Sequence, residues 1–158
     1  MRDRCGVGLC AAALLVAAFA GHCAGLGVAA NPMKTLMGLI NVEVEVRMTA
    51  QTSLHVFLEY LVRPADHPRW VLVVGPRLYA DVNPDGFYGG LNLLLLGPTG
   101  EEVGPDAGVG VECGGRSPLT EHLFVQPRIL GSKSWSSGWS SLGFEALLGR
   151  QVLLPGRS

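Results

Sequence analysis

Charge is scarce in this chain. Of its 158 residues only 12 are Lys or Arg and 13 are Asp or Glu, where an ordinary soluble chain carries roughly a quarter charged residues. The basic residues form no stripe and the formal net charge is −1, which argues against a phosphate-tracking surface and against nucleic acid as a partner. None of the four cysteines belongs to a Cys-x-x-Cys pair, so neither a zinc knuckle nor a dithiol redox centre is supported. The histidines His22, His55, His67 and His122 stand far apart, without a second His or Cys at ligand spacing. His55 and Glu59 share one face of a strand but lie roughly 13 Å apart there, too far to share a proton or a metal. There is no Gly-x-Ser-x-Gly elbow, no Gly-Lys-Ser/Thr phosphate loop and no Asn-x-Ser/Thr acceptor. These absences predict a protein that is not an enzyme, with no catalytic residue, no metal and no cofactor.

Apolar residues are concentrated first at the N-terminus. Arg2 and Arg4 precede the apolar stretch Val7 to Ala20, and Ala18-Phe19-Ala20 places small residues where a signal peptidase cuts, so residues 1–20 are expected to be a secretory leader helix, with cleavage as late as 29 as the alternative. No full charge occurs from Cys5 to Met33, and an uncleaved anchor is the competing reading. No later apolar run is long enough to span as a helix, so a cleaved product is expected to be soluble, reaching a membrane only through a partner or an uncleaved leader. Cleavage after Ala20 leaves Cys23 and Cys113 as a candidate disulfide closing about 90 residues, worth roughly 4 kcal/mol by chain entropy. A later cut leaves Cys113 alone.

Residues 31–130 have the punctuation of a β-rich domain. Asn31-Pro32 marks a turn, and Met33 to Ile40 has room for one or two helical turns. Val42, Val44, Val46 and Met48 then alternate with Glu43, Glu45 and Arg47, the period of a strand with one face on a core and one in water; the valines are expected inside. Leu54 to Val62 repeats the period. Trp70 to Val74 reads as a buried strand, with Gly75-Pro76-Arg77 turning the chain into Leu78 to Val82. Asn83-Pro84-Asp85-Gly86 and Gly97-Pro98-Thr99-Gly100 suit type I turns on either side of the strand Leu91 to Leu96. Val109 to Cys113 and His122 to Gln126 are further strands, the latter expected to end at Pro127. The nearby Gly108, Gly110, Gly114 and Gly115 read as turn residues.

From residue 131 to 158 the chain is rich in Ser, Gly and Trp, a composition that predicts an irregular tail with a short C-terminal helix at Phe144 to Leu148. The expected fold is therefore mainly β: a small sandwich or barrel-like sheet, preceded by the leader helix and followed by the short helix.

Two resemblances bear on function. Trp135-Ser136-Ser137-Gly138-Trp139-Ser140 resembles the Trp-Ser-x-Trp-Ser signature of class I cytokine receptor domains, with one residue too many between the tryptophans and without that family's paired cysteines. Phe57-Leu58-Glu59-Tyr60, Val71-Leu72, Tyr79 and Val82-Asn83-Pro84, followed by the apolar run to Leu96, resemble the central block of alphaherpesvirus glycoprotein L, without that family's cysteine ahead of the block. This second resemblance implies a secreted viral envelope subunit that pairs with glycoprotein H, assists its folding and export, and serves membrane fusion from the virion or host cell surface. The candidate partner surface then comprises Trp70, Tyr79, Val82, Asn83, Pro84, Phe87, Tyr88, Trp135 and Trp139. A free-standing extracellular ligand-binding or adhesion domain is the alternative. A hydrolase is a further rival, with Asp66, His67, Asp81, Asp85 and His122 as its first suspects.

Overall fold

A computed structural model describes residues 25–61, 70–81, 85–98, 105–136, 138 and 140–152. The expected leader, including Cys23, lies outside them, as do Val82, Asn83, Pro84 and Trp139. Among the described residues nine strands form: β1 (Gly25–Ala30), β2 (Leu39–Arg47), β3 (Thr52–Leu61), β4 (Trp70–Tyr79), β5 (Phe87–Leu96), β6 (Asp106–Gly115), β7 (Ser117–Pro118), β8 (Leu123–Ser134) and β9 (Ser140–Val152), with one short helix, α1 (Pro32–Leu36), between β1 and β2. The long strands pair antiparallel in chain order, β9 returns to β1, and β6 pairs with β8 past the two-residue β7. The result is a closed, eight-stranded, up-and-down barrel. Closure leaves no long strand edge unpaired.

Two prolines and the Ser/Gly-rich end depart from expectation. Gly75-Pro76-Arg77 is no turn: β4 runs straight through it. The β4–β5 ladder lacks partners for residues 75 and 76, and a residue without an N–H is tolerated where a ladder is interrupted. Pro127 likewise does not end β8. Residues 126 and 127 fall between the part of β8 that pairs with β7 and the part that pairs with β6. Residues 140–152, expected as an irregular tail with a helix, are strand β9, and Phe144 to Leu148 is fully extended within it. Gly108, Gly110, Gly114 and Gly115 belong to β6 rather than to a turn. Close packing explains some of these glycines: a Cβ at Gly149 would sit 2.2 Å from the Phe124 ring, and one at Gly114 would sit 2.7 Å from the Tyr88 hydroxyl.

The alternation of β2 is present, but inverted. Asn41, Glu43 and Glu45 are buried inside the barrel, while Ile40 and Val42 are 60% and 39% exposed. The same polarity holds elsewhere. On β5, Asn92 and Leu94 point inward and Leu91, Leu93 and Leu95 point outward; on β6, Glu112 is inside and Val109 and Val111 outside. β9 buries Glu145 and Leu147 and exposes Leu142, Phe144 and Leu148. Of the outward valines, Val46 and Val56 are buried. The strands' outward faces otherwise carry charge at Lys133 and Arg150, near opposite ends of the barrel.

Candidate functional site

The lumen has two mouths. β1 starts and β9 ends at the lower one; α1 lies at the upper. Between them a belt of fixed charge fills the interior. Arg77 on β4 is 0% exposed and spends its guanidinium on three carboxylates: Nε donates to Glu112 at 2.7 Å, Nη1 to Glu43 at 2.6 Å and Glu45 at 2.9 Å, and Nη2 to Glu43 at 3.0 Å and Glu112 at 3.1 Å. That uses all five donors of the fork. Arg128 on β8 reaches Glu145 through Nε at 3.0 Å and Nη2 at 2.6 Å, and Glu43 through Nη1 at 2.5 Å. Glu43 thus ties β4 and β8 to β2 across the lumen.

Tyrosine, amide and imidazole groups complete the belt. Tyr79 donates to Glu45 at 2.6 Å, and Gln126 donates to the Tyr88 hydroxyl at 2.9 Å. The His55 Nε2 lies 2.8 Å from Asn92 Oδ1 and 3.0 Å from Glu112, with Nδ1 3.7 Å from Glu43. Arg77 also lies over the Tyr88 ring and Arg128 over the Phe57 ring. Burying so many charges is costly unless each is paired and hydrogen-bonded; here the strand period lines up the partners.

Above the belt the lumen turns apolar. Phe57, Val73, Leu94 and Leu96 cluster with Val71 against them, beside a cavity of about 220 Å³. Helix α1 closes over this space. The Asn31 side chain accepts from the backbone of Met33 and Lys34, capping the helix, and the Asn31 amide donates to Asn41 inside the barrel. Lys34 hangs from the helix to bridge Glu59 on β3 and Glu145 on β9. Burial opposes the ammonium charge there, but the two carboxylates outweigh it and raise the Lys34 pKa above the ordinary 10.5.

The residues singled out from sequence do not form one surface. Tyr79 and Tyr88 point into the lumen and are each 4% exposed, which removes them from any outer partner face. Trp70 and Trp135 lie at the upper rim and the exposed Phe87 at the lower. Cys113 is a free, exposed thiol on β6. Among the hydrolase suspects, Asp81, Asp85 and His122 fall in connections at the lower mouth, while Asp66 and His67 lie outside the described residues. No cluster of three His, Cys, Asp or Glu suited to a metal occurs among the described residues. Sequence reasoning missed the belt because it placed Glu43 and Glu45 in water and Arg77 in a turn. No family model, curated protein or solved structure matches the chain.

Proposed function

We propose that this protein is an integral membrane β-barrel of the bacterial outer-membrane type, with an occluded lumen. The observation that carries this reading is the inversion of polarity. Charged side chains line the inside on β2, β3, β4, β6, β8 and β9, while apolar side chains form a band around the outside. In water that arrangement is unfavourable on both faces; in a bilayer it is the required one, because a closed barrel satisfies its backbone internally and turns apolar residues to lipid. Strand length agrees. Ten residues at about 3.3 Å each, tilted 35–45°, cover about 25 Å of membrane. Tyr60, Trp70 and Trp135 at one rim and Phe87 at the other occupy the positions of aromatic girdles.

No helix among the described residues is long and apolar enough to cross a membrane; in this reading the strands do so. A leader of the kind expected at residues 1–20 suits export to such a membrane. The reading replaces the expectation that membrane contact needs a partner or an uncleaved leader. A glycoprotein L-like subunit would require a covered face centred on Trp70 to Leu96. The apolar band continues instead through β1, β2, β6, β8 and β9, which favours lipid over a single docked protein. The arginine–carboxylate belt makes the barrel a plugged scaffold rather than a diffusion pore.

The test is expression of the full chain in a Gram-negative host. The protein is expected in the outer-membrane fraction, resistant to alkaline extraction, and its electrophoretic mobility in detergent should change on boiling. A detergent-free, monodisperse, strand-rich monomer in the soluble fraction would falsify the reading.

A further inference from the structure

The arginines and carboxylates of the belt are paired, although His55 Nδ1, Asn92 Nδ2 and Gln126 Oε1 there lack a hydrogen-bond partner; at the lower mouth the unpaired atoms belong mainly to arginines. Arg47 and Ser53, inward-facing register partners on β2 and β3, each hold a buried polar atom without a hydrogen-bond partner: Arg47 Nη2 and Ser53 Oγ. Arg116, just after β6, adds Nε and Nη2 and is 5% exposed. These four atoms are all donors or hydroxyl groups. The nearest carboxylate to Arg116 is Glu45, at 3.8 Å, and Glu45 is already engaged by Arg77 at 2.9 Å and Tyr79 at 2.6 Å.

The fold holds both arginines in place without consuming their donors. The Arg116 backbone amide donates to Gly86 at 3.0 Å, and its guanidinium stacks 3.5 Å from the centre of the Phe124 ring. Its Nη2 passes over Gly27, where a Cβ would approach to 2.9 Å. Arg47 lies over the Tyr79 ring at 5.2 Å, and its β1 partner is Gly25. β1 therefore presents no side chain beside either arginine. Gly25 pairs with Arg47 and Gly27 with Glu45, the carboxylate nearest to Arg116, so both arginines border the same end of β1. Buried guanidinium donors left unpaired carry a large desolvation cost, and a stacked, planar fork is the geometry that recognises oxyanions.

We propose that Arg47, Ser53 and Arg116 form a binding site for a phosphate-type oxyanion at the lower mouth of the lumen. The site stands on the inner wall and does not depend on what covers the outer one. Inorganic phosphate and the phosphate of a lipid headgroup share this chemistry, and the test separates them.

The full chain is folded in maltoside micelles, which carry no phosphate, or in plain buffer if it proves soluble. Its thermal midpoint is then compared in phosphate and in chloride at equal ionic strength, with short-chain phosphatidate as a third arm. A saturable rise in midpoint with phosphate is expected, because a ligand of the folded state stabilises it. A rise with phosphatidate alone would support the same site and assign the headgroup as its source. Arg116→Gln should weaken the apparent affinity about ten- to a hundredfold, the range for a charged hydrogen bond. Since the Arg116 side chain makes no hydrogen bond among the described residues and only a long 3.8 Å ion pair with Glu45, Arg116→Gln should fold normally, as checked by circular dichroism; should it not, Arg47→Gln and Ser53→Ala carry the test. Arg150→Gln, an outward arginine near the same mouth, should leave the response unchanged. Equal midpoints in all three salts, an equal shift from chloride, or an undiminished response in Arg116→Gln would overturn the proposal.

Discussion

The two faces of the barrel wall come from alternate residues of the same strands, yet they solve opposite problems. Inside, Arg77 and Arg128 face Glu43, Glu45, Glu112 and Glu145 at hydrogen-bonding distance; outside, Leu91, Leu93, Leu95, Val109 and Val111 stand largely exposed. The inner face is specific at the belt, because each arginine and carboxylate there has a defined partner and geometry. The outer face is generic and asks only for a medium that accepts hydrocarbon. A single amino-acid pattern therefore encodes a fixed plug and an interchangeable surface.

The sharpest way to break that comparison is to remove one partner from the plug. Arg77→Ala should cost about 3–5 kcal/mol, since it strands three carboxylates in a closed lumen; denaturant unfolding of the micelle-bound protein measures it. Next comes a charge on the generic face. Leu93→Arg should cost about 2–4 kcal/mol in lipid if Leu93 lies near the bilayer midplane, and refolding into vesicles rather than micelles reads the penalty directly. A soluble barrel would tolerate this change.

Smaller effects belong to the rims. Lys34→Met should cost about 1 kcal/mol, because its two ion pairs remain partly open to solvent. The Lys34 pKa is raised in the folded state, so its contribution is present in full below pH 10.5 and is lost as pH climbs through the higher folded value; unfolding midpoints of wild type and Lys34→Met should converge only in strong alkali. Smallest of all, Arg150→Leu should change stability by less than about 1 kcal/mol, since charges near the interface cost little.

The strand pattern was legible in the residues; its orientation was not. Val42, Val44 and Val46 against Glu43 and Glu45 declare a period of two, but a period has no sign, and reading it as apolar-inside assumed water on the other face. The sign lies in relations between strands. Arg77 and Arg128 share a parity with the glutamates they neutralise, and that becomes visible only once register is known. The Ser/Gly-rich end was misread for a related reason: Ser132, Ser134 and Ser141 are strand residues whose small side chains suit a crowded lumen rather than a loop. Pro76 and Pro127 look like terminators locally, and only the pairing map shows that each occupies an interruption in a ladder. For the anion site nothing was legible, since Arg47, Ser53 and Arg116 are brought together by closure alone.

The seam between β1 and β9 governs how such a chain matures. These strands lie more than a hundred residues apart in sequence, so the final ladder waits until nearly the whole domain has been synthesised. Until then the intermediate offers two open edges and a band of leucines to its surroundings. The slowest step of its folding should be the meeting of its first strand with its last, whatever medium then covers the outer face.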